Sequence, residues 1–96
     1  MRIESPKTLE RFREPGLCEL CQEFVSFPEP HHIYARGQSD AFRNDTIYNL
    51  VKLCRACHAK AEQEAGMREE CLRVVSKRED IDLDDLKTMN LMFRHR

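Results

Sequence analysis

Apolar and polar residues alternate along the first half of the chain in a way that predicts short strands. Residues 24–27 form a β-type run, and the prolines at positions 28 and 30 are expected to prevent much pairing beyond it. Extended character returns at 31–34, because a residue next to proline favours β geometry. Asn49 to Leu53 predicts a second strand, and the polar residues 35–46 predict a loop ahead of it.

The apolar residues recur at helical spacing mainly in the second half of the chain. Ser5-Pro6 supplies a cap and a first helical residue for a short N-terminal helix through Phe12. A helix is predicted from Cys57 to about residue 64, and another from Met67 through about Arg78. Asp82 can cap a last helix, so the C-terminal helices span about 67–94. The pattern therefore predicts a small α+β protein with helical extensions at both ends.

The composition is that of one ordinary globular domain. The chain has 96 residues, 34% of them charged, with only three glycines and four prolines. We interpret residues 1–96 as a single domain, whose small core would benefit from a structural metal. The N-terminus has no apolar run of the kind found in a signal peptide, and no stretch is long enough to span a bilayer. A cytoplasmic protein is expected.

Five cysteines are present, and four of them form two Cys-x-x-Cys pairs, Cys18/Cys21 and Cys54/Cys57. Two such pairs can close a tetrahedral four-thiolate zinc site, because thiolates suit Zn²⁺ better than harder ions. The alternative is a pair of redox Cys-x-x-Cys motifs. Cys71 falls on the apolar face of a predicted helix, so we expect it to be buried.

The order of motifs resembles the zinc-containing members of the HNH endonuclease family. The resemblance covers about residues 18–60 and consists of the two cysteine pairs, His31-His32-Ile33, Asn49-Leu50-Val51-x-Leu53 and the histidine that follows Cys57. It implies a treble-clef-like ββα-metal core and one catalytic divalent cation. It also implies that His32 is the general base, that His31 and His58 bind the catalytic cation, and that Asn49 braces or orients the loop.

Physical chemistry supports these roles independently of the resemblance. A histidine can serve as a base near neutral pH, and a cation with few protein ligands keeps positions open for a phosphate. Successive residues of a strand point to opposite faces, so His31 and His32 can serve one centre only if the strand is bent or bulged. The alternatives are a turn residue at Asn49 and a histidine without catalytic duty at His58.

The charge distribution and the types of donor atom limit which cofactor and which partner are expected. Residues 31–60 carry five basic and only two acidic side chains, which is typical of a phosphate-contacting surface. Among these basic residues Arg36 and Lys60 are the predicted nucleic-acid contacts. Two neutral imidazoles leave a divalent cation little compensated, so we expect Mn²⁺ or another transition metal to be preferred over Mg²⁺.

These observations predict a metal-dependent endonuclease that hydrolyses DNA, with structural Zn²⁺ and a catalytic divalent cation. RNA stays open as a substrate, and a homodimer or a larger nuclease complex stays open as the assembly. Small chains of this family are associated with phages and mobile elements, so the resemblance implies the cytoplasm of a bacterium or a phage-infected cell. The alternative is a non-catalytic treble-clef zinc module that binds nucleic acid or a protein partner. A thiol redox protein is a third interpretation, separable by thiol titration with and without a zinc chelator.

Overall fold

The computed structural model describes residues 2–34 and 43–94, of which the side chains at 2, 93 and 94 are not considered. Within these ranges the chain forms four α-helices and three two-stranded sheets, which confirms the predicted α+β class. The strands are β1 (Arg2–Ile3), β2 (Gly16–Leu17), β3 (Phe24–Val25), β4 (Glu29–His32), β5 (Arg43–Asn44) and β6 (Leu50–Leu53). The helices are α1 (Pro6–Arg13), α2 (Arg55–Gln63), α3 (Met67–Glu79) and α4 (Leu83–Arg94). None of the helices in the described ranges combines the length and apolar character needed to cross a membrane.

The first helix forms as its capping residues predict. The Ser5 Oγ accepts a hydrogen bond from the Thr8 amide at 3.3 Å, and Pro6 takes the first helical position. The buried face of α1 carries Leu9 and Phe12, which pack against Leu50 at the start of β6. The N-terminal helix is thereby fixed to the second strand of the central hairpin.

The first cysteine pair lies in a tight turn between β2 and β3. These strands pair antiparallel, and the Cys18 amide donates to the Glu23 carbonyl at 2.8 Å. Gln22 adopts a left-handed conformation with φ of 66°, which completes the turn after Cys21. The Glu19 amide donates to the Lys52 carbonyl at 2.8 Å, so the turn is held against β6.

The central hairpin pairs β4 with β6 in an unbroken antiparallel register, His31 opposite Val51 and His32 opposite Leu50. Sequence reasoning expected the prolines to prevent much pairing between residue 27 and the extended segment at 31, but β4 begins at Glu29 and includes Pro30. Pro30 is tolerated because its opposite residue, Lys52, directs its amide and carbonyl to Glu19 rather than to β4.

Two boundaries around the polar loop differ from the prediction. Asn49 ends a 3₁₀ turn, Ile47–Asn49, and the strand begins one residue later at Leu50. The predicted loop also contributes β5, which pairs in parallel with β1 at the N-terminus. This contact joins positions about 40 residues apart, so local sequence patterns carry no sign of it.

The helices cover the hairpin and close the core. Leu53, Cys71, Leu72, Val75 and Leu86 are almost completely buried in one cluster, which confirms Cys71 as a packing residue. The helix α2 starts at Arg55, two residues earlier than predicted, because the Cys54 Sγ caps it by accepting from the Cys57 amide at 3.4 Å.

One arginine of α3 ties the helices to the rest of the molecule. The Arg78 guanidinium donates to both Glu19 carboxylate oxygens at 2.9 Å and also to the carbonyls of Ile47 and Leu50. Its carbon atom Cζ lies 5.1 Å from the centre of the Phe12 ring. A single side chain therefore links α3 with the cysteine-bearing turn, the hairpin and α1.

Candidate active site

Four cysteines come together at the junction of the β2–β3 turn with α2. The Sγ atoms of Cys18, Cys21, Cys54 and Cys57, here called the cysteine cluster, all lie within 4.8 Å of one another. The Cys21 and Cys54 sulfurs are 4.0 Å apart, close to the roughly 3.8 Å edge of a tetrahedron with Zn–S bonds of about 2.3 Å. The cluster could therefore hold a metal ion.

The thiols of this cluster differ in acidity. Burial raises the pKa of Cys18, but hydrogen bonds from the amides of Cys21, Cys54 and Leu20 outweigh it and bring that pKa to about 7. Burial and the neighbouring sulfurs raise the pKa of Cys57 far above its usual value. A first thiolate therefore forms easily while further thiolates are opposed, and a bound cation supplies the charge that four thiolates need.

A second group of metal-binding side chains lies between β4 and α2. Ligand atoms of His31, His58 and Glu62, here called the histidine cluster, lie within 4.8 Å of one another. The His31 and His58 ring centres are 5.1 Å apart at an interplanar angle of 67°, and the His58 Nε2 lies 3.0 Å from Glu62 Oε1. Glu62 reaches this position because it follows His58 by four residues, one turn along α2.

The two histidines of this cluster have different surroundings. The His58 Nδ1 lies 2.6 Å from Glu29 Oε1, which favours a proton on Nδ1, and a bound cation would replace any proton on the Nε2 that faces Glu62. Burial, followed by the neighbouring His58, lowers the pKa of His31 to about 4, although Glu62 acts in the opposite direction. Neutral imidazole is the form that binds metals.

His32 takes a different set of partners from its neighbour His31. The His32 Nε2 lies 2.7 Å from Asp45 Oδ1, and 21% of the His32 side-chain surface remains exposed. No bulge interrupts the β4 register, but His32 is the last residue of the strand. Both histidines line one cleft although the register has no bulge, where sequence reasoning expected either a bend or a bulge.

Asn49 is fully buried and bonds to the chain on both sides of the polar segment. Its Oδ1 accepts from the Tyr34 amide at 2.8 Å, and its Nδ2 donates to the Tyr34 and Asn44 carbonyls at 3.3 and 2.9 Å. The amide thus fixes the exit of β4 to the segment that carries Asp45. Contacts of this kind can brace a loop, and the role of Asn49 in the site stays a prediction.

The cleft has a volume of about 830 Å³ and is lined by His31, His32, His58, Glu62 and Arg68, among others. Arg36, one predicted nucleic-acid contact, lies outside the described residues. Lys60, the other, is exposed on α2, but two positions after His58 it points to roughly the opposite side of the helix. Arg68, whose Cζ lies 5.0 Å from the centre of the Tyr34 ring, is the basic residue of the described chain that lines the cleft.

Sequence reasoning missed four residues of this site: Glu29, Asp45, Glu62 and Arg68. The spacing of Glu62 from His58 is a signal that could have been used, because residues four apart share a helix face. Glu29 and Asp45 meet their histidines only through the hairpin and the β1–β5 pairing. Comparison with protein-family models, curated proteins and solved structures gives no match.

Proposed function

We propose that the chain is a metal-dependent HNH endonuclease that hydrolyses phosphodiester bonds in DNA. The observation that carries the proposal is the presence, in one cleft, of the histidine cluster and of a separate histidine whose Nε2 contacts a buried carboxylate. Metal-dependent phosphodiester hydrolysis uses these two elements, a cation site and a nearby base. On this proposal the β4–β6 hairpin and α2 form a ββα-metal core.

The donor atoms decide which ion each cluster suits. Four thiolates suit structural Zn²⁺ at the cysteine cluster. Two imidazole nitrogens and one carboxylate suit a first-row transition ion such as Mn²⁺ at the histidine cluster, and Glu62 adds negative charge that the sequence prediction lacked. When bound there, the divalent cation would neutralise charge on the scissile phosphate and on its leaving oxygen.

The side chains of the cleft have distinct roles in this proposal. His32 accepts the proton of the attacking water, while His31, His58 and Glu62 hold the cation and Asn49 keeps the hairpin exit in place. Arg68 contacts a phosphate at the rim of the cleft, and Arg36 and Lys60 remain proposed contacts to the nucleic-acid backbone. The basic residues contribute mainly sequence-independent affinity that weakens with added salt.

The alternative is a non-catalytic zinc module that binds nucleic acid or a protein partner. The cysteine cluster supports this alternative equally well, because it contributes none of the side chains assigned to the cation or the base. The zinc-module alternative gives no reason for Glu29, His58 and Glu62 to form a carboxylate–imidazole–carboxylate chain beside His31. This chain favours the nuclease.

A plasmid-cleavage assay tests the proposal. Supercoiled DNA is incubated with zinc-loaded protein and Mg²⁺, Mn²⁺, Co²⁺ or Ni²⁺, using wild type, His32→Ala, and Arg13→Ala as a control on the exposed face of α1. We expect metal-dependent nicking by wild type and Arg13→Ala, and a loss of at least about 10²-fold in His32→Ala with zinc retained. Wild type inactive on plasmid, single-stranded DNA and RNA with every metal would overturn the proposal.

A further inference from the structure

Asp45 is a completely buried carboxylate at the back of the proposed base. Its Oδ1 lies 2.7 Å from His32 Nε2, and its Oδ2 accepts from the Ser5 amide at 3.0 Å. The Arg43 guanidinium donates to both oxygens, with Nε at 3.1 Å from Oδ1 and 3.0 Å from Oδ2. A buried carboxylate is costly unless donors surround it, and here three groups from different parts of the chain supply them.

The surrounding donors keep Asp45 ionised. Burial opposes the charge, but hydrogen bonds from Arg43, His32 and the Ser5 amide hold the pKa of Asp45 below its usual value. An ionised carboxylate can only accept hydrogen bonds, so the His32 nitrogen that faces it must carry a proton. In the neutral imidazole this leaves Nδ1 as the nitrogen with a free lone pair.

The N-terminal segment fixes the position of this carboxylate. The β1–β5 pairing leads directly to Asp45, whose amide donates to the Ile3 carbonyl at 2.9 Å. Arg43 also bonds Glu4, with Nη1 3.1 Å from Oε1. Asp45 is therefore held through both its main chain and its side chain, as a group that orients another must be.

We propose that Asp45 is the positioning residue of the base: it holds His32 in the Nε2–H tautomer, so that Nδ1 is the atom that accepts the proton from water. This inference rests on the proposed nuclease function. Asp45 itself contacts neither the substrate nor the cation. In the serine-protease triad the equivalent change of aspartate to asparagine leaves the geometry intact and lowers kcat about 10⁴-fold through the wrong tautomer.

Asp45→Asn is the informative variant because it keeps the shape and removes the charge. The asparagine oxygen is drawn to the side where Arg43 and Ser5 donate, so its NH₂ group faces His32 and demands an unprotonated Nε2. We expect Nδ1–H to become the main tautomer of His32, and single-turnover cleavage to fall about 10²–10⁴-fold with KM changed less than about 3-fold. Asp84→Asn, on the exposed first turn of α4, is the matched control and should change neither the His32 tautomer nor the cleavage rate.

Imidazole ¹⁵N chemical shifts of zinc-loaded protein report the tautomer directly, with the His32 signals assigned by their loss in His32→Ala. This measurement does not use Asp45→Asn, so the inference remains testable even if that variant fails to fold. If the wild type is active but its His32 is mainly Nδ1–H, the positioning role of Asp45 is overturned and the proposed nuclease function is not. A folded Asp45→Asn protein with wild-type kcat overturns the positioning role too. An inactive wild type overturns the nuclease itself, whatever the tautomer.

Discussion

Replacing Asn49 with alanine should destabilise the protein more than most single substitutions. The change leaves the Tyr34 amide, the Tyr34 carbonyl and the Asn44 carbonyl without the side-chain partners they have now. A buried main-chain group without a partner costs about 1–3 kcal/mol. Taking about 1 kcal/mol for each of the three gives a loss of about 3 kcal/mol before any cavity is counted. A domain of this size has only about 5–15 kcal/mol in total.

Equilibrium unfolding in urea, with zinc present and at low temperature, measures this loss. Asn90→Ala is the control, because Asn90 is equally buried but makes two described hydrogen bonds, with the Asn44 side chain and the Tyr48 carbonyl. We expect it to lose about 2 kcal/mol, less than Asn49→Ala.

A loss below about 1 kcal/mol in Asn49→Ala, or one smaller than that of Asn90→Ala, would refute the reasoning that Asn49 braces the hairpin. An Asn49→Ala protein of wild-type stability but without cleavage would instead place Asn49 in the chemistry.

Four other results are expected. Removing zinc from the cysteine cluster should unfold the protein, which circular dichroism would detect. A retained fold with all four thiols free would contradict a structural role for the metal. Glu29→Gln should weaken Mn²⁺ binding at the histidine cluster about 10–100-fold in calorimetry, whereas the control Glu23→Gln, at an exposed position, should bind Mn²⁺ like wild type. Equal affinities of Glu29→Gln and wild type would contradict this. Arg78→Ala should lower the free energy of unfolding in urea by about 2–4 kcal/mol, and the exposed control Arg73→Ala should lower it by less than about 0.5 kcal/mol. Similar losses in the two variants would refute the linking role of Arg78. Without the second metal, His31 should titrate near pH 4 by NMR rather than near 6.5. Because the unfolded chain takes up that proton first, stability should fall as pH drops from 6.5 towards 4.

The parts of the fold that the sequence predicts well depend on local chemistry. Ser5-Pro6 places the start of α1 because a hydroxyl cap and a proline are needed at adjacent positions. The two Cys-x-x-Cys pairs predict a cluster because each pair brings two sulfurs together on its own turn. The α+β class follows from the change of apolar spacing along the chain.

The missing parts depend on contacts between distant positions. The partner of His32 is Asp45, and it is held by Ser5, 40 residues earlier in the chain. The partner of His58 is Glu29, placed by a hairpin that includes a proline. Neither pairing has a spacing rule, since both depend on which strands meet. Glu62 was predictable in principle, because its relation to His58 is that of one helical turn.

The first turn of α2 carries residues of both candidate metal sites, because Cys57 and His58 are consecutive in the chain. An ion at the cysteine cluster restricts the backbone that carries His58, so part of the ordering cost of the histidine cluster is met before its own ion arrives. Coupling of this kind is reciprocal: the factor by which the first ion tightens the second is the factor by which the second tightens the first. The affinity of the cysteine cluster for zinc should therefore rise when the cleft holds its cation, and each metal becomes a reporter of the other.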